Sequence, residues 1–215
     1  MQDIVILGAG GHARETLDVL QAVNADGRRY HVVGFLDDVP ERHGTELRGH
    51  PVLGGHEWLL AREHADVRYV VGIGSGRAKA ALTRRLDAAG RVAAVLVHPD
   101  ARVAHGAELG PGVILTAGVL LGCDVRLGAH TYVNLGASVS HDCVVGAYCH
   151  LAPGVRLAGN VRVGDGCELG IGAVAMPGVE VGAWSLIGAG AAVVRAIPAG
   201  VIAAGVPARV LRDRP

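Results

Sequence analysis

Aromatic side chains are scarce in this chain: 3% of residues are Phe, Trp or Tyr, and Phe35 is the single phenylalanine. A core built on packed rings is excluded, so Val, Ile, Leu and Ala must fill the interior. Charge imbalance is also missing. Twenty basic residues balance twenty acidic ones, which argues against nucleic acid or an anionic membrane as partner. No uninterrupted apolar run approaches the ~18 residues of a membrane span. The opening MQDIVILGAGGH lacks the basic start and cleavage site of a secretory leader. A soluble cytoplasmic protein is the expectation. No Cys-x-x-Cys spacing occurs among the four cysteines, and no metal site is expected. Glycine, by contrast, is abundant: 33 in 215 residues, about twice the usual share.

Much of that glycine belongs to a repeat. From Val97 to Val193 an aliphatic residue returns every six positions, through Val103, Leu109, Leu115 and onward, with Ala175 the one unbranched member. A compact residue follows each four positions later, as at Ala101, Val113, Thr131 and Ala137. A helix repeats at 3.6 residues and a plain strand at 2, so a strict six fits neither. It fits a short strand plus a turn, three per coil, wound into a left-handed parallel β-helix of triangular section. Seventeen hexads make between five and six coils, a prism roughly 25–28 Å tall at the strand spacing. Cys143, Cys149 and Cys167 fall in the compact slot and read as small buried hydrophobes. Cys149 and Cys167, eighteen residues apart, stack near enough for a bridge, but a reducing compartment keeps them as thiols.

Residues 1–96 read differently from 97–215. IVILGAGGHARETLDVL is a strand, a glycine turn and an amphipathic helix; VVGFLDD (32–38) and VRYVVGIG (67–74) are further strands. RAKAALTRRLDAA is a second helix, and VAAVLV (92–97) a strand feeding the repeat. This alternation implies a small Rossmann-like parallel α/β sheet. Gly8, Gly10 and Ala13 match G-x-G-x-x-[G/A] after a strand. That pattern aims bare backbone N–H groups and a helix dipole at phosphate, although a tight strand-to-helix turn has the same spelling. There is room for about one mononucleotide half, so a nucleotide carrying something else fits better than NAD. Asp37 and Asp38 stand where ribose or sugar hydroxyls bind, or are two solvated acids ending a strand.

VSHDCVV (139–145) places His141 at a corner of the prism, not in its core. Eighteen residues on, at the same corner one coil along, is Gly159; Cys123 and His105 are the neighbours on the other side. A base at His141 beside the Gly159 N–H suits acyl transfer, with Asp142 orienting the imidazole. Eleven histidines in the chain keep a merely surface-bound His141 open as well. Zinc held by His141, Cys143 and Cys149 fails, because both cysteines point inward while the histidine points out.

Taken together, GAGGHARE (8–15), FLDD (35–38), GIGSGRAK (72–79), NLGASVSHDCVVGAYCH (134–150) and GVPAR (205–209) carry a resemblance over nearly the whole chain. The sequence resembles the hexapeptide-repeat sugar acyltransferases, particularly those that N-acetylate the 4-amino group of a nucleotide-linked amino sugar. The resemblance implies acetyl-CoA as co-substrate and a homotrimer with acetyl-CoA in the groove between prisms. It implies His141 as general base, Asp142 as its support and Gly159 as oxyanion donor, with Ile171, Gly188 and Ala189 also along the CoA groove. Gly10, Gly11, His12, Asp37, Asp38, Gly74 and Ser75 would hold the nucleotide sugar, and Asn134 and His150 would line the acceptor site. The implied sugar nucleotide is GDP-linked perosamine ahead of a UDP-linked 4-amino sugar. Relatives often carry Glu where Asp142 stands and Arg where Lys79 stands, which leaves a phosphate role for Lys79 open. O-acetylation of a sugar hydroxyl such as that of sialic acid, and a non-catalytic trimeric scaffold, are the competing readings.

Overall fold

The alternating pattern of the first hundred residues becomes β1 (Gln2–Leu7), α1 (Gly11–Ala25), β2 (Tyr30–Leu36), β3 (Glu46–Leu47), β4 (His50–Gly54), β5 (Arg68–Val71) and α2 (Gly76–Ala88). This computed structural model describes residues 1–27 and 29–215, which divide into two units, Met1–Pro99 and Asp100–Pro215. In the first unit the sheet order is β3-β4-β2-β1-β5, parallel except for the short β3. β1 lies inside the sheet, between β2 and β5, and Ile4, Val5, Ile6 and Leu7 are all fully buried, as on a parallel strand covered on both faces. Val5 and Leu7 share one cluster with Leu82 and Leu86 of α2 and with Tyr69. Segment 92–97, expected as one strand, touches β5 through a single bridge, Ala93 to Tyr69, and becomes strand only at Leu96–Val97.

The chain leaves β1 through Gly8 at φ +96°, a left-handed value natural to glycine. At the end of β5, a Cβ on Gly72 would lie 2.5 Å from Ala13 Cα. Small residues at both positions let α1 close onto the sheet, the third requirement of the dinucleotide fingerprint. Asp37 then ties this turn to the end of β2. Its Oδ2 accepts from Ala9 N–H at 2.7 Å and from Arg42 Nη1 at 2.8 Å, and its Oδ1 accepts from Val39 N–H at 3.0 Å. Burial alone would raise this carboxyl, but the Val39 and Ala9 N–H groups and Arg42 hold it below the ordinary aspartate value of 3.8.

In the second unit every hexad aliphatic is the second residue of a two-residue strand, and each strand from Arg102–Val103 to Val174–Ala175 pairs in parallel with the one eighteen residues on. Three sheets form the faces of the left-handed prism. The first face runs through Leu120–Leu121, Ser138–Val139 and Arg156–Leu157, the second through Arg126–Leu127, Val144–Val145 and Arg162–Val163. The third runs through Tyr132–Val133, His150–Leu151 and Glu168–Leu169, continues to Val201–Ala204, and closes with an antiparallel strand, Arg209–Asp213. Beyond it Arg214 pairs with Glu168 at 2.6 Å and donates to the carbonyls of Gly166, Trp184 and Ser185.

The compact slot turns out to need more than small volume. Thr131 Oγ1 donates to Gly146 O at 2.7 Å, Cys149 Sγ to Gly164 O at 3.2 Å, Cys167 Sγ to Gly182 O at 3.1 Å and Ser185 Oγ to Pro198 O at 2.8 Å. Cys143 Sγ does the same for Ala158 O at 2.9 Å. Each weak or strong donor satisfies a carbonyl of the next coil where the backbone turns. All four cysteines are free, with Cys123 alone exposed. Burial pushes the Cys143 thiol up and the Cys167 thiol to about 11, so both stay protonated and unreactive near neutrality.

Two measurements check these features. A thiol reagent on the native protein labels Cys123 at most, and all four cysteines after unfolding. Asp37→Asn destabilises the protein by about 1–3 kcal/mol at neutral pH, the cost of leaving charge-assisted donors mismatched. Because the folded-state pKa of Asp37 lies below the unfolded one, its contribution is present above about 3.8 and lost as pH falls through the folded value. The gap between wild type and variant in chemical-denaturation midpoints therefore closes in acid.

Candidate active site

His141 and Asp142 form the corner between the first and second faces, after Ser138–Val139 and before Val144–Val145. Asp142 N–H donates to Cys123 O at 3.1 Å on one side, and Asn160 N–H donates to His141 O at 3.0 Å on the other. The second residue of each stacked corner pair is left-handed: Asp124 at φ 57°, Asp142 at 59°, Asn160 at 62°. Asp and Asn tolerate that backbone better than other side chains, so Asp142 has a backbone reason to be there. Its carboxylate does something further. Asp142 Oδ2 lies 2.8 Å from His141 Nδ1, which places the ring proton on Nδ1 and leaves Nε2 with a bare lone pair.

The imidazole lies across Gly159. A Cβ at that residue would come 2.5 Å from both Cε1 and Nε2 of His141, so glycine is required by space. On either side, Ala158 N–H is taken by Ala175 O and Asn160 N–H by His141 O, while Gly159 N–H makes no backbone hydrogen bond among the described residues. A base nitrogen and an uncommitted amide thus sit at one corner, with both the His141 and Asp142 side chains more than half exposed.

The other expected residues of the prism lie elsewhere. Asn134 is buried on the corner that precedes the first face, its Oδ1 accepting from Leu135 N–H at 2.7 Å. Ile171 stacks along that same corner, where Gly190 N–H donates to Ile171 O, and Gly188 and Ala189 belong to that corner's last turn. His150 opens a strand of the third face and meets Tyr132 edge-on at 5.6 Å between ring centres. The reason is arithmetic: nine residues separate His150 from His141, half of an eighteen-residue coil. One chain does not bring these groups together.

In the first unit, a cavity of about 250 Å³ is lined by Gly10, Gly11, His12, Asp37 and Gly74 among others. Gly10 caps α1 without a side-chain bond, and the first turn carries no acid, leaving its N–H groups and dipole open to an anion. The two acids differ in role. Asp37, 9% exposed, spends its carboxylate on the bonds described above and is a brace instead of a free ligand group. Asp38 is exposed; its Oδ1 accepts from His56 N–H at 3.0 Å and its Oδ2 lies 2.8 Å from His56 Nδ1. Burial would raise the Asp38 carboxyl, but the His56 bonds and the charge of Arg85 hold it below the usual aspartate range. Ser75 caps α2, its Oγ accepting from Ala78 N–H at 3.4 Å, and Gly74 makes room for the His12 ring, 3.2 Å from a Cβ placed there. Lys79 is buried at 2% exposure. Sequence reading passed over Arg42, His56 and Arg85, which line an adjoining cavity of about 460 Å³ with Asp37 and Asp38. The signal lay in VLGGHEW (52–58): residues just beyond the carboxyl end of a parallel strand are where such sheets bind ligands.

Among the described residues no three His, Cys, Asp or Glu side chains are placed to hold a metal ion. Residues 3–86 match the family described as PglD N-terminal domain. A comparison with curated proteins found no match. Solved structures resemble the chain from end to end. The H141N variant of perosamine N-acetyltransferase from Caulobacter crescentus, in complex with CoA and GDP-perosamine, is 38% identical over 99% of this chain and 98% of that one, with a TM-score of 0.90. The acetyltransferase domain of PglB from Neisseria gonorrhoeae FA1090, in complex with acetyl coenzyme A, is 34% identical over 98% and 99%, with a TM-score of 0.87. WeeI from Acinetobacter baumannii AYE is 26% identical over 98% and 100%, with a TM-score of 0.87. On this likeness and the two-unit architecture, the chain belongs to the hexapeptide-repeat nucleotide-sugar acetyltransferase family.

Proposed function

We propose that this protein is an acetyl-CoA-dependent N-acetyltransferase acting on the 4-amino group of GDP-perosamine. The observation that carries the reading is 38% identity over nearly the full length of both chains to a perosamine N-acetyltransferase bound to CoA and GDP-perosamine. The glycine turn and the open end of α1 hold the diphosphate, and the His141 corner carries the chemistry. The amine nitrogen attacks the thioester carbonyl carbon while His141 Nε2 takes its proton. Charge developing on the carbonyl oxygen is met by Gly159 N–H, and Asp142 stabilises the imidazolium. Collapse breaks the carbon–sulfur bond, and the departing thiolate takes up the proton as CoA. Transfer is direct: Cys143, beside His141, is buried, protonated and bonded to a carbonyl.

The working form is a homotrimer. Leu120 and Val174 lie exposed on the first face, Leu135 and Ile171 on the corner before it and Met176 on the corner after it. Exposed apolar residues on this side of the prism suit a head-to-tail ring that closes at three. Closure brings the Asn134 corner and the His150 face of one subunit to the His141 corner of the next, with acetyl-CoA between them along Ile171, Gly188 and Ala189. The reading puts the enzyme in the cytoplasm, where acetyl-CoA is supplied; among the described residues no helix is long and apolar enough to cross a membrane.

Thiol release from acetyl-CoA, measured against a panel of GDP- and UDP-linked 4-amino sugars and of sugar hydroxyls, should be fastest with GDP-perosamine; activity confined to hydroxyl acceptors would overturn the proposal. His141→Asn should lower kcat by about 10²–10⁴-fold, the usual worth of a general base, while leaving the circular dichroism spectrum unchanged. Gly159→Ala must push the imidazole aside and should cost about 10²-fold in kcat, the order lost when a catalytic group is misplaced by an ångström. Sedimentation velocity should show a trimer, and a fully active monomer would refute the shared site.

A further inference from the structure

The third face of the prism carries a charged pair that the chemistry above leaves unused. The first residues of its strands run Ile114, Tyr132, His150, Glu168 and Leu186, each the Cα partner of the next on parallel neighbours. Neighbouring strands lie about 5 Å apart, so Glu168 stands directly beside His150, with Tyr132 edge-on at its other side. A carboxylate at that spacing draws a proton onto an imidazole. Arg214 counters that pull. Its backbone N–H donates to Gly200 O at 2.7 Å, and its Nη2 meets Glu168 Oε1 at 2.6 Å. Its Nη1 donates to Trp184 O at 3.3 Å and Ser185 O at 3.2 Å, so the planar guanidinium is fixed in place. Both partners are largely covered, with side chains 14% and 28% exposed, which limits screening by solvent. Satisfying these carbonyls needs only a donor. It does not need an acid at the position in register with His150.

We infer that the Arg214–Glu168 pair holds His150 in its neutral form, which makes Arg214 a positioning residue of the acceptor site. The inference rests on the nucleotide-sugar reading and deepens it. A sugar amine is mostly protonated near neutrality. An imidazolium lining its site repels it and has no lone pair to offer, whereas neutral imidazole has both a lone pair and an N–H. On the flanking strands the titratable groups facing His150 are Tyr132 and Glu168, with Arg214 on Glu168. The adjoining corner holds the stacked rings of His130 and Tyr148, and the proposed subunit contact adds the His141–Asp142 pair. Of these, the Arg214–Glu168 pair can be split from either side with opposite results. Without the guanidinium, an unopposed carboxylate stabilises the imidazolium; without the carboxylate, an unopposed guanidinium destabilises it.

Two variants of the full-length protein test the inference. NMR of isotope-labelled histidine follows the titration of His150, assigned by the signal that His150→Gln loses. Arg214→Met should raise the His150 midpoint by about one unit. Glu168→Gln, which keeps a hydrogen-bond partner for Arg214 but removes the charge, should lower it, and the double variant should fall between the two. The acid limb of kcat/KM for GDP-perosamine should move with the midpoint. Arg214→Met then loses up to about tenfold on the acid side, since one unit is a factor of ten, and nothing on the alkaline plateau. A pair that only closes the last coil would lower the melting temperature when broken and leave the limb in place. A His150 midpoint unmoved by both variants, or moved the same way by both, would overturn the inference, as would an acid limb that stays put while the midpoint shifts. Glu168→Gln carries the test where Arg214→Met fails to fold. If the wild type transfers no acetyl group to GDP-perosamine, the proposed function fails, and the NMR titration still decides whether Arg214 and Glu168 set the charge of His150.

Discussion

Everything chemical in the prism depends on the register of its coils. On the first face the two-residue strands from Arg102–Val103 to Ala192–Val193 stack in parallel at a spacing of eighteen residues, without a shift anywhere between them. These backbone bonds decide which side chains share a corner. They bring the imidazole of His141 over Gly159 and next to the amide that residue leaves uncommitted. An inserted residue anywhere in the intervening coil would move Gly159 off that corner and turn inward-facing aliphatics outward. The compact slot protects the register from inside, because Thr131, Cys143, Cys149, Cys167 and Ser185 each spend a donor on a carbonyl of the adjoining coil.

The same register also limits what one chain can do. Residues half a coil apart lie on opposite sides of a triangular prism, as His141 and His150 do. A fold this regular is rigid along its axis but cannot bend two corners toward each other. A composite site must therefore come from packing prisms side by side, and the exposed apolar residues around the first face are where the proposed trimer closes. The first unit works by a different economy, with the glycine turn held by the Asp37 carboxylate, which accepts from Ala9 N–H of that turn and from Val39 N–H and Arg42 Nη1 just beyond β2.

Much of this was legible in the amino acids because the repeat is strict. Counting by six gave every two-residue strand from Leu96–Val97 to Ala192–Val193, and counting by eighteen put His141 under Gly159. Counting could not show that Gly159 must be glycine for space, nor that Asp142 also answers a left-handed backbone. The roles of the two aspartates were illegible for a related reason. A carboxylate is spent or available according to partners from distant segments, so Asp37 and Asp38 look alike in FLDD and differ in the fold. His56 escaped notice because HPVLG (50–54), with a proline and a single alternation, does not announce a strand. Ser75, expected to touch substrate, caps a helix, a role that Ser before a helix commonly fills.

In the proposed enzyme, catalysis needs the His141 corner of one subunit and the His150 face of its neighbour. Co-expressing His141→Asn with His150→Ala chains and assaying the mixed trimers tests it most directly. If each variant is inactive alone, random mixing restores intact pairings at about a quarter of the sites in a cyclic trimer, and acetyl transfer returns to that level. Mixed trimers as inactive as either parent would contradict the shared site.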